Sequence, residues 1–149
     1  MRRKGQDAWQ DWGQEAGDGD CGRANPRMQA EHLRRGAAAE ALAADHLEKH
    51  GLAILARNVR CRGGEVDLIA ADRGSLVFVE VRLRSNSRFG GAAASITAAK
   101  RQRVILAARY WLNGAGRRYA NLPCRFDAVL LERLDRDGIE WIRGAFDAY

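Results

Sequence analysis

The chain has 149 residues, 46% of them hydrophobic, and carries 25 Lys and Arg against 19 Asp and Glu, for a formal net charge of +6. That length suits one domain, and the apolar fraction excludes wholesale disorder. No apolar run approaches the ~20 residues of a membrane-spanning helix.

The first residues, MRRKGQDAWQDWG, are basic but lead into no apolar stretch, so no secretory signal is expected. Cys21, Cys61 and Cys124 are odd in number and far apart, which argues against a disulfide framework or a zinc knuckle. Free thiols in a reducing, cytoplasmic setting are expected. The basic surplus is uneven. Residues 81–126 hold ten basic residues and no carboxylate, while the segments before them are nearly neutral and the last stretch is acidic. A carboxylate-free Arg-rich window is either a solvated face or a phosphate-binding surface.

Residues 1–29 show no hydrophobic period and read as a disordered or loosely docked tail, with residues 30–149 as the domain. A helix is expected from about Glu31 to His50, with Leu33, Gly36, Ala43 and Leu47 on one stripe and Gly51 ending it. Glu40 shares that stripe, and a carboxylate aimed at a core needs a partner. Three strands follow: Ala53–Arg60, Glu65–Ala70 and Leu76–Arg84, separated by turns at Arg62-Gly63-Gly64 and Asp72-Arg73-Gly74. After a loop containing Gly90-Gly91, a second helix is expected from about Thr97 to Asn113, with Val104, Ala108, Trp111 and Leu112 inward. Strands at about Arg125–Glu132 and Ile139–Arg143 close a chain of order α-β-β-β-α-β-β, an α/β or α+β sheet with helices packed on it.

The chemistry is concentrated on the second and third strands. Alternate residues share a face. A two-residue loop at Arg73-Gly74 sets Asp67 opposite Glu80 and Glu65 opposite Arg82, with Cβ atoms ~4.5–5.5 Å apart. Two carboxylates so close need a proton, a cationic side chain or a metal ion between them. An ion-pair cluster with Arg82 or Lys100 is one reading. The other is a hard divalent ion, Mg²⁺ or Mn²⁺, held by Asp67 and Glu80 beside substrate phosphate, with Glu40 completing the site through a water. Lys100, Arg101 and Arg103 occupy the first turns of their helix, where the macrodipole disfavours cations and an incoming phosphate would offset that cost.

Other motifs are set aside. His46 and His50 lack the Glu and the third ligand of a zinc site and read as surface or capping groups. Gly90-Gly91 has no following Gly-Lys-Ser/Thr. Asp127 reads as a structural ion-pair partner, and Trp111, Trp141 and Phe146 as core.

Asp67 followed by Glu80-Val81-Arg82 resembles the Asp-x(n)-Glu-x-Lys signature of restriction-endonuclease-like nucleases. More closely, the chain from about Arg35 to Phe146 resembles the YraN-type uncharacterised bacterial family. The resemblance is carried by Ala39-Glu40, Arg57-Asn58, Gly64-Glu65-Val66-Asp67-Leu68-Ile69-Ala70, Val77-Phe78-Val79-Glu80-Val81-Arg82, Phe89-Gly90, Ile96-Thr97, Lys100, Arg125-Phe126-Asp127 and Ala145-Phe146. It implies an α/β restriction-endonuclease-like fold with a mixed sheet, similar to archaeal Holliday-junction resolvases, with Glu40, Asp67 and Glu80 as site acids. Arg82 stands where most members have lysine. A lysine can shift its pKa and act on water, whereas an arginine stays protonated, and Lys100 would substitute by reaching back into the site. The expected activity is nucleic-acid binding, with metal-dependent phosphodiester hydrolysis by Glu40, Asp67, Glu80, Arg82 and Lys100. A non-catalytic binding module with a degenerate site is the alternative, and a protein-interaction adaptor a third. Arg84, Arg88, Lys100, Arg101 and Arg103 are the expected nucleic-acid contacts, with DNA ahead of RNA, no membrane partner, and monomer or homodimer both open.

Overall fold

The computed structural model describes residues 25–83 and 96–148. Most of the expected tail and the loop carrying Arg84, Arg88 and Gly90-Gly91 lie outside the described residues. The chain divides into two units, residues 1–32 and Leu33–Tyr149. Of the first unit, residues 25–32 are described, and they are solvent-exposed.

The elements are α1 (Pro26–Lys49), β1 (Ala53–Cys61), β2 (Gly64–Asp72), β3 (Ser75–Leu83), α2 (Ala98–Leu112), β4 (Cys124–Leu131) and β5 (Ile139–Phe146). This is the expected α-β-β-β-α-β-β order. Helix α1 starts five residues before the expected Glu31. Its core stripe also starts later than expected. Leu33 is 72% exposed and Gly36 is exposed, and burial begins at Ala39, continuing through Ala43, Ala44 and Leu47. Periodicity found the correct face, but only the second half of the helix has sheet to cover. Gly51, at φ +92°, takes the left-handed conformation that stops the helix.

The five strands lie in sequence order, antiparallel at every step except β3–β4, which is parallel. A parallel step needs a crossover, and α2 lies within it. Ala39, Ala43 and Leu47 of α1 cluster with Leu68, Val77, Val79, Val129 and Leu131. Val104, Ala108 and Trp111 of α2 cluster with Ile69, Leu76, Phe78, Phe126 and Phe146. The sheet therefore has an apolar layer on each side, and β3 is buried along most of its length. Trp111 and Phe146 are core residues, as expected. Hairpin β2–β3 turns through Arg73 and Gly74, both at positive φ, between the paired Asp72 and Ser75. That is the two-residue loop assumed from sequence, and it fixes the register.

Asp127 is wholly buried, and four donors meet it. Arg125 Nε and Nη2 donate at 2.9 and 3.0 Å, Trp141 Nε1 at 3.0 Å and the Gly144 backbone N–H at 2.9 Å. Arg125 Nη2 also reaches Asp72 at 3.0 Å, tying β4 to the β2–β3 turn. The pairing of β4 with β5 is irregular between Phe126 and Ala128, and Gly144 is at φ +61°. The Asp127 carboxylate thus replaces ladder hydrogen bonds at a bulge, the structural use expected from sequence. Replacing Asp127 with Ala would leave the half-buried Arg125 guanidinium with Asp72 alone and would remove the acceptor of the Trp141 Nε1–H and the Gly144 N–H. We expect a loss of roughly 1–3 kcal/mol in urea unfolding.

Candidate active site

The β2–β3 ladder runs from Asp72↔Ser75 to Leu68↔Val79 and stops. One step further, Asp67 would face Glu80 across a closed ladder. Instead the Asp67 side chain enters the ladder itself, and its Oδ2 accepts the Val81 backbone N–H at 2.8 Å. A side-chain carboxylate stands where a main-chain carbonyl would otherwise be. Strand alternation breaks at the same place. Val66 and Ile69, three positions apart, pack in the α2-side cluster together, as do Ala56 and Val59 on β1. Asn58 lies between the pairs Arg57↔Leu68 and Val59↔Val66, and has φ +50°. Asparagine tolerates the left-handed region better than most residues, and a left-handed residue inside a strand rotates the chain that follows it.

This break gathers three acids from three elements. Glu80 is 1% exposed on β3, and its Oε2 is buried with no hydrogen-bond partner among the described residues. Its pKa is pushed up to about 8, first by burial and then by the neighbouring Asp67 charge. Burial also raises the Asp67 pKa, against the pull of the Val81 N–H. The two carboxyl groups act on each other, Asp67 raising the Glu80 pKa and Glu80 lowering that of Asp67, and together they favour holding one proton near neutral pH. Glu40, half-buried on α1, is raised by burial and then by Asp67, and lowered by a hydrogen bond from the Asn58 side chain. The helix acid is therefore the electrostatic neighbour of Asp67 and Glu65.

Lys100 does reach back from the first turn of α2. Its Nζ lies 3.3 Å from Glu80 Oε1 and 3.0 Å from Glu65 Oε1. Thr97 caps this helix, its hydroxyl accepting the Lys100 backbone N–H at 3.2 Å. Gly64 allows the approach: a Cβ there would lie 2.5 Å from the Arg103 carbonyl oxygen, so the β1–β2 hairpin tip rests directly on α2. Burial lowers the Lys100 pKa, but its hydrogen bond to Glu65 and the Glu80 charge outweigh that, and the net shift is upward. Lys100 is therefore held as a cation, and it does not supply the proton acceptor that Arg82 lacks.

Arg82 is half-buried on β3 and, among the described residues, forms no ion pair with Asp67, Glu80 or Glu65. The expected Glu65–Arg82 opposition is not formed. Glu65 turns instead to Lys100, to Arg103 at 3.8 Å and to Arg60 at 3.9 Å. Arg101 is engaged elsewhere, its Nε donating to the Ile96 carbonyl at 3.2 Å and its guanidinium lying over Phe146. Arg84 and Arg88 lie outside the described residues. His50 Nδ1 is 2.7 Å from the His46 carbonyl oxygen at the end of α1, the capping use expected.

Two residues, Glu65 and Asn58, contact this cluster although the sequence named Glu65 only as a strand partner of Arg82 and Asn58 only within the family resemblance, neither as a site residue. Glu65 shares the Gly64-Glu65-Val66-Asp67 run with the strand acid, and that spacing was the available signal. Nothing in the pattern marked Asn58 as a conformational break.

A model of the Uncharacterised protein family UPF0102 matches residues 39–131, which include Glu40, Asp67, Glu80, Arg82 and Lys100. The chain belongs to this family. It is 57% identical over 110 residues to a UPF0102 protein of Methylobacillus flagellatus, covering 74% of this chain and 94% of the relative. It is 53% identical over 113 residues to one of Nitrosomonas europaea, covering 76% and 93%. A third, from Dechloromonas aromatica, is 54% identical over 114 residues, covering 76% and 89%. The family and the mixed-sheet topology are those that the motif resemblance implied, with the restriction-endonuclease-like fold.

The buried acid also governs stability. The Glu80 carboxyl is raised from 4.5 to about 8 on folding. Its protonated form is favoured in the folded state, so this contribution is complete below pH 4.5 and is lost as pH rises toward 8. Urea unfolding of the native protein and of Glu80→Gln should therefore diverge across that window. The variant should gain relative stability of more than about 1 kcal/mol between pH 5 and pH 8.5. A constant difference would mean that Glu80 is already ionised at pH 5.

Proposed function

We propose that this UPF0102 protein binds nucleic acid and hydrolyses phosphodiesters with a divalent ion, Mg²⁺ or Mn²⁺, held between Asp67 and Glu80. The observation carrying this reading is the orphaned, buried Glu80 Oε2 beside the Asp67 carboxylate. Two such acids with an unpartnered oxygen fit a hard cation that takes oxygen ligands. Among the described residues no three His, Cys, Asp or Glu side chains converge as a metal cage. Water and substrate oxygens would complete the coordination, as is usual for Mg²⁺. When bound, such an ion polarises a phosphoryl oxygen and lowers the pKa of water.

The chain's own residues divide the remaining work. Asp67 is fixed by the Val81 N–H, so its second oxygen has a set direction. Glu40, close enough to feel the Asp67 charge, orients water on the α1 side. Lys100, held as a cation on Glu80, presents positive charge to a phosphate. Arg82 continues the same strand and contributes charge rather than proton acceptance. Among the described residues, Glu40, Asp67 and Glu80 are the carboxylates placed to accept a proton from water, whose pKa a bound ion would lower.

The reading extends to nucleic acid, DNA ahead of RNA, where the basic window at residues 81–126 supports binding of a polyanion, and to the reducing, cytoplasmic setting expected from the odd, widely spaced cysteines. No helix among the described residues is long and apolar enough to cross a membrane. A non-catalytic binding module is the second reading, favoured by one specific observation: Lys100 already neutralises Glu80 without an ion.

Branched, duplex and single-stranded DNA incubated with purified protein and Mg²⁺ or Mn²⁺ separates the two. Cleavage is expected, falling more than about 100-fold in Asp67→Ala and Glu80→Ala. Salt-sensitive binding without cleavage, in native protein and variants alike, would favour the binding module.

A further inference from the structure

The rim of the site holds an arrangement that the buried acids do not require. Glu65 Oε1 faces Lys100 Nζ at 3.0 Å and Arg103 Nη2 at 3.8 Å, and Glu65 Oε2 faces Arg60 Nε at 3.9 Å. One carboxylate thus stands among three cations, drawn from β1 and from the first two turns of α2. Among the described residues, Lys100 alone of the three has a second anionic partner, Glu80. The guanidinium side chains of Arg60 and Arg103 are 72% and 52% exposed, so an incoming ligand can reach them.

The spacing of these cations is set by the backbone. Arg60 pairs with Glu65 in the β1–β2 ladder, and Gly64 seats that hairpin tip on the Arg103 carbonyl. A single carboxylate does not neutralise three cations. A phosphodiester or phosphate offers the same pair of anionic oxygens, matches the guanidinium fork, and would leave Glu65 free to turn to solvent. Lys100 touches both the rim and Glu80, so a phosphate in this seat would lie next to the buried acids.

We infer that Glu65 occupies the seat of a substrate phosphate, as an internal carboxylate that the ligand must displace from Arg60, Lys100 and Arg103. The inference deepens the proposed function, and rests on it for the identity of the ligand as a nucleic-acid phosphate. It gives Glu65 a restraining role, opposite to that of a residue needed to hold Lys100. The second bond of Lys100, to Glu80, keeps the ammonium in place when Glu65 is neutralised.

The test is binding by the full chain, in EDTA, of two probes: inorganic pyrophosphate and a short single-stranded oligonucleotide. Glu65→Gln should bind both at least about threefold more tightly than native protein. Its oligonucleotide affinity should fall more steeply with salt, by about one unit in the log–log slope. Arg60→Gln should weaken both. Unchanged or weaker binding of both probes by Glu65→Gln overturns the inference, and leaves the nucleic-acid reading standing if native protein binds the oligonucleotide. If the oligonucleotide does not bind but Glu65→Gln gains affinity for pyrophosphate, the anion seat stands and the nucleic-acid reading falls. Failure of both probes with both proteins overturns both. Should Glu65→Gln lose its native circular dichroism, Arg60→Gln decides: weakened pyrophosphate binding supports the seat, and unchanged binding overturns it.

Discussion

The hydrogen bond from the Val81 N–H to the Asp67 carboxylate is the contact on which the rest of the site depends. A regular hairpin would have continued the β2–β3 ladder past Leu68↔Val79, with Asp67 facing Glu80 and Glu65 facing Arg82 across closed main-chain hydrogen bonds. With a carboxylate in place of a main-chain acceptor, the ladder ends while β3 remains paired with β4 along its length. Glu80 is thereby fixed on a central strand, sealed from water, beside a second acid. Burial, more than the repulsion, raises its pKa. The sheet tolerates this because the flanking apolar layers are complete on both sides.

Two further devices hold the site in register. Asn58 takes a left-handed backbone conformation inside β1, which lets the alternation of β1 and its sheet neighbour β2 reset, and its side chain hydrogen-bonds Glu40. Gly64 lets the hairpin tip meet the α2 backbone, bringing Lys100 to Glu80. The acids come from α1, β2 and β3 and the cations from β1 and α2. The elements most distant in sequence therefore contribute opposite charges. The parallel β3–β4 step makes this convergence possible, because its crossover lays α2 over the face that carries Glu80.

Much of this was legible in the residues. Alternation in Leu76–Arg84 and the Arg73-Gly74 turn gave the strand pair and its register, because hairpin parity is a counting argument. Glu40 was legible because a charged residue on an apolar helical stripe is conspicuous. The extent of the stripe was not. Leu33 has helical spacing but nothing to pack on, and periodicity cannot tell how far a sheet reaches. The Glu65–Arg82 pairing failed for a related reason. Counting assumed an unbroken ladder, and one carboxylate with one left-handed asparagine broke it. Lys100 was reachable only as a conjecture, since a glycine contact between a hairpin and a helix leaves no periodic trace.

The central claim is that the Asp67–Glu80 pair is built to exchange its shared proton and its Lys100 partner for a divalent ion. Crystals of the protein soaked in Mn²⁺ and measured at an anomalous wavelength test it directly. The account predicts an anomalous peak between the Asp67 and Glu80 carboxylates, with the Lys100 ammonium withdrawn toward Glu65. No peak at saturating Mn²⁺, with Lys100 Nζ still resting on Glu80, would contradict it.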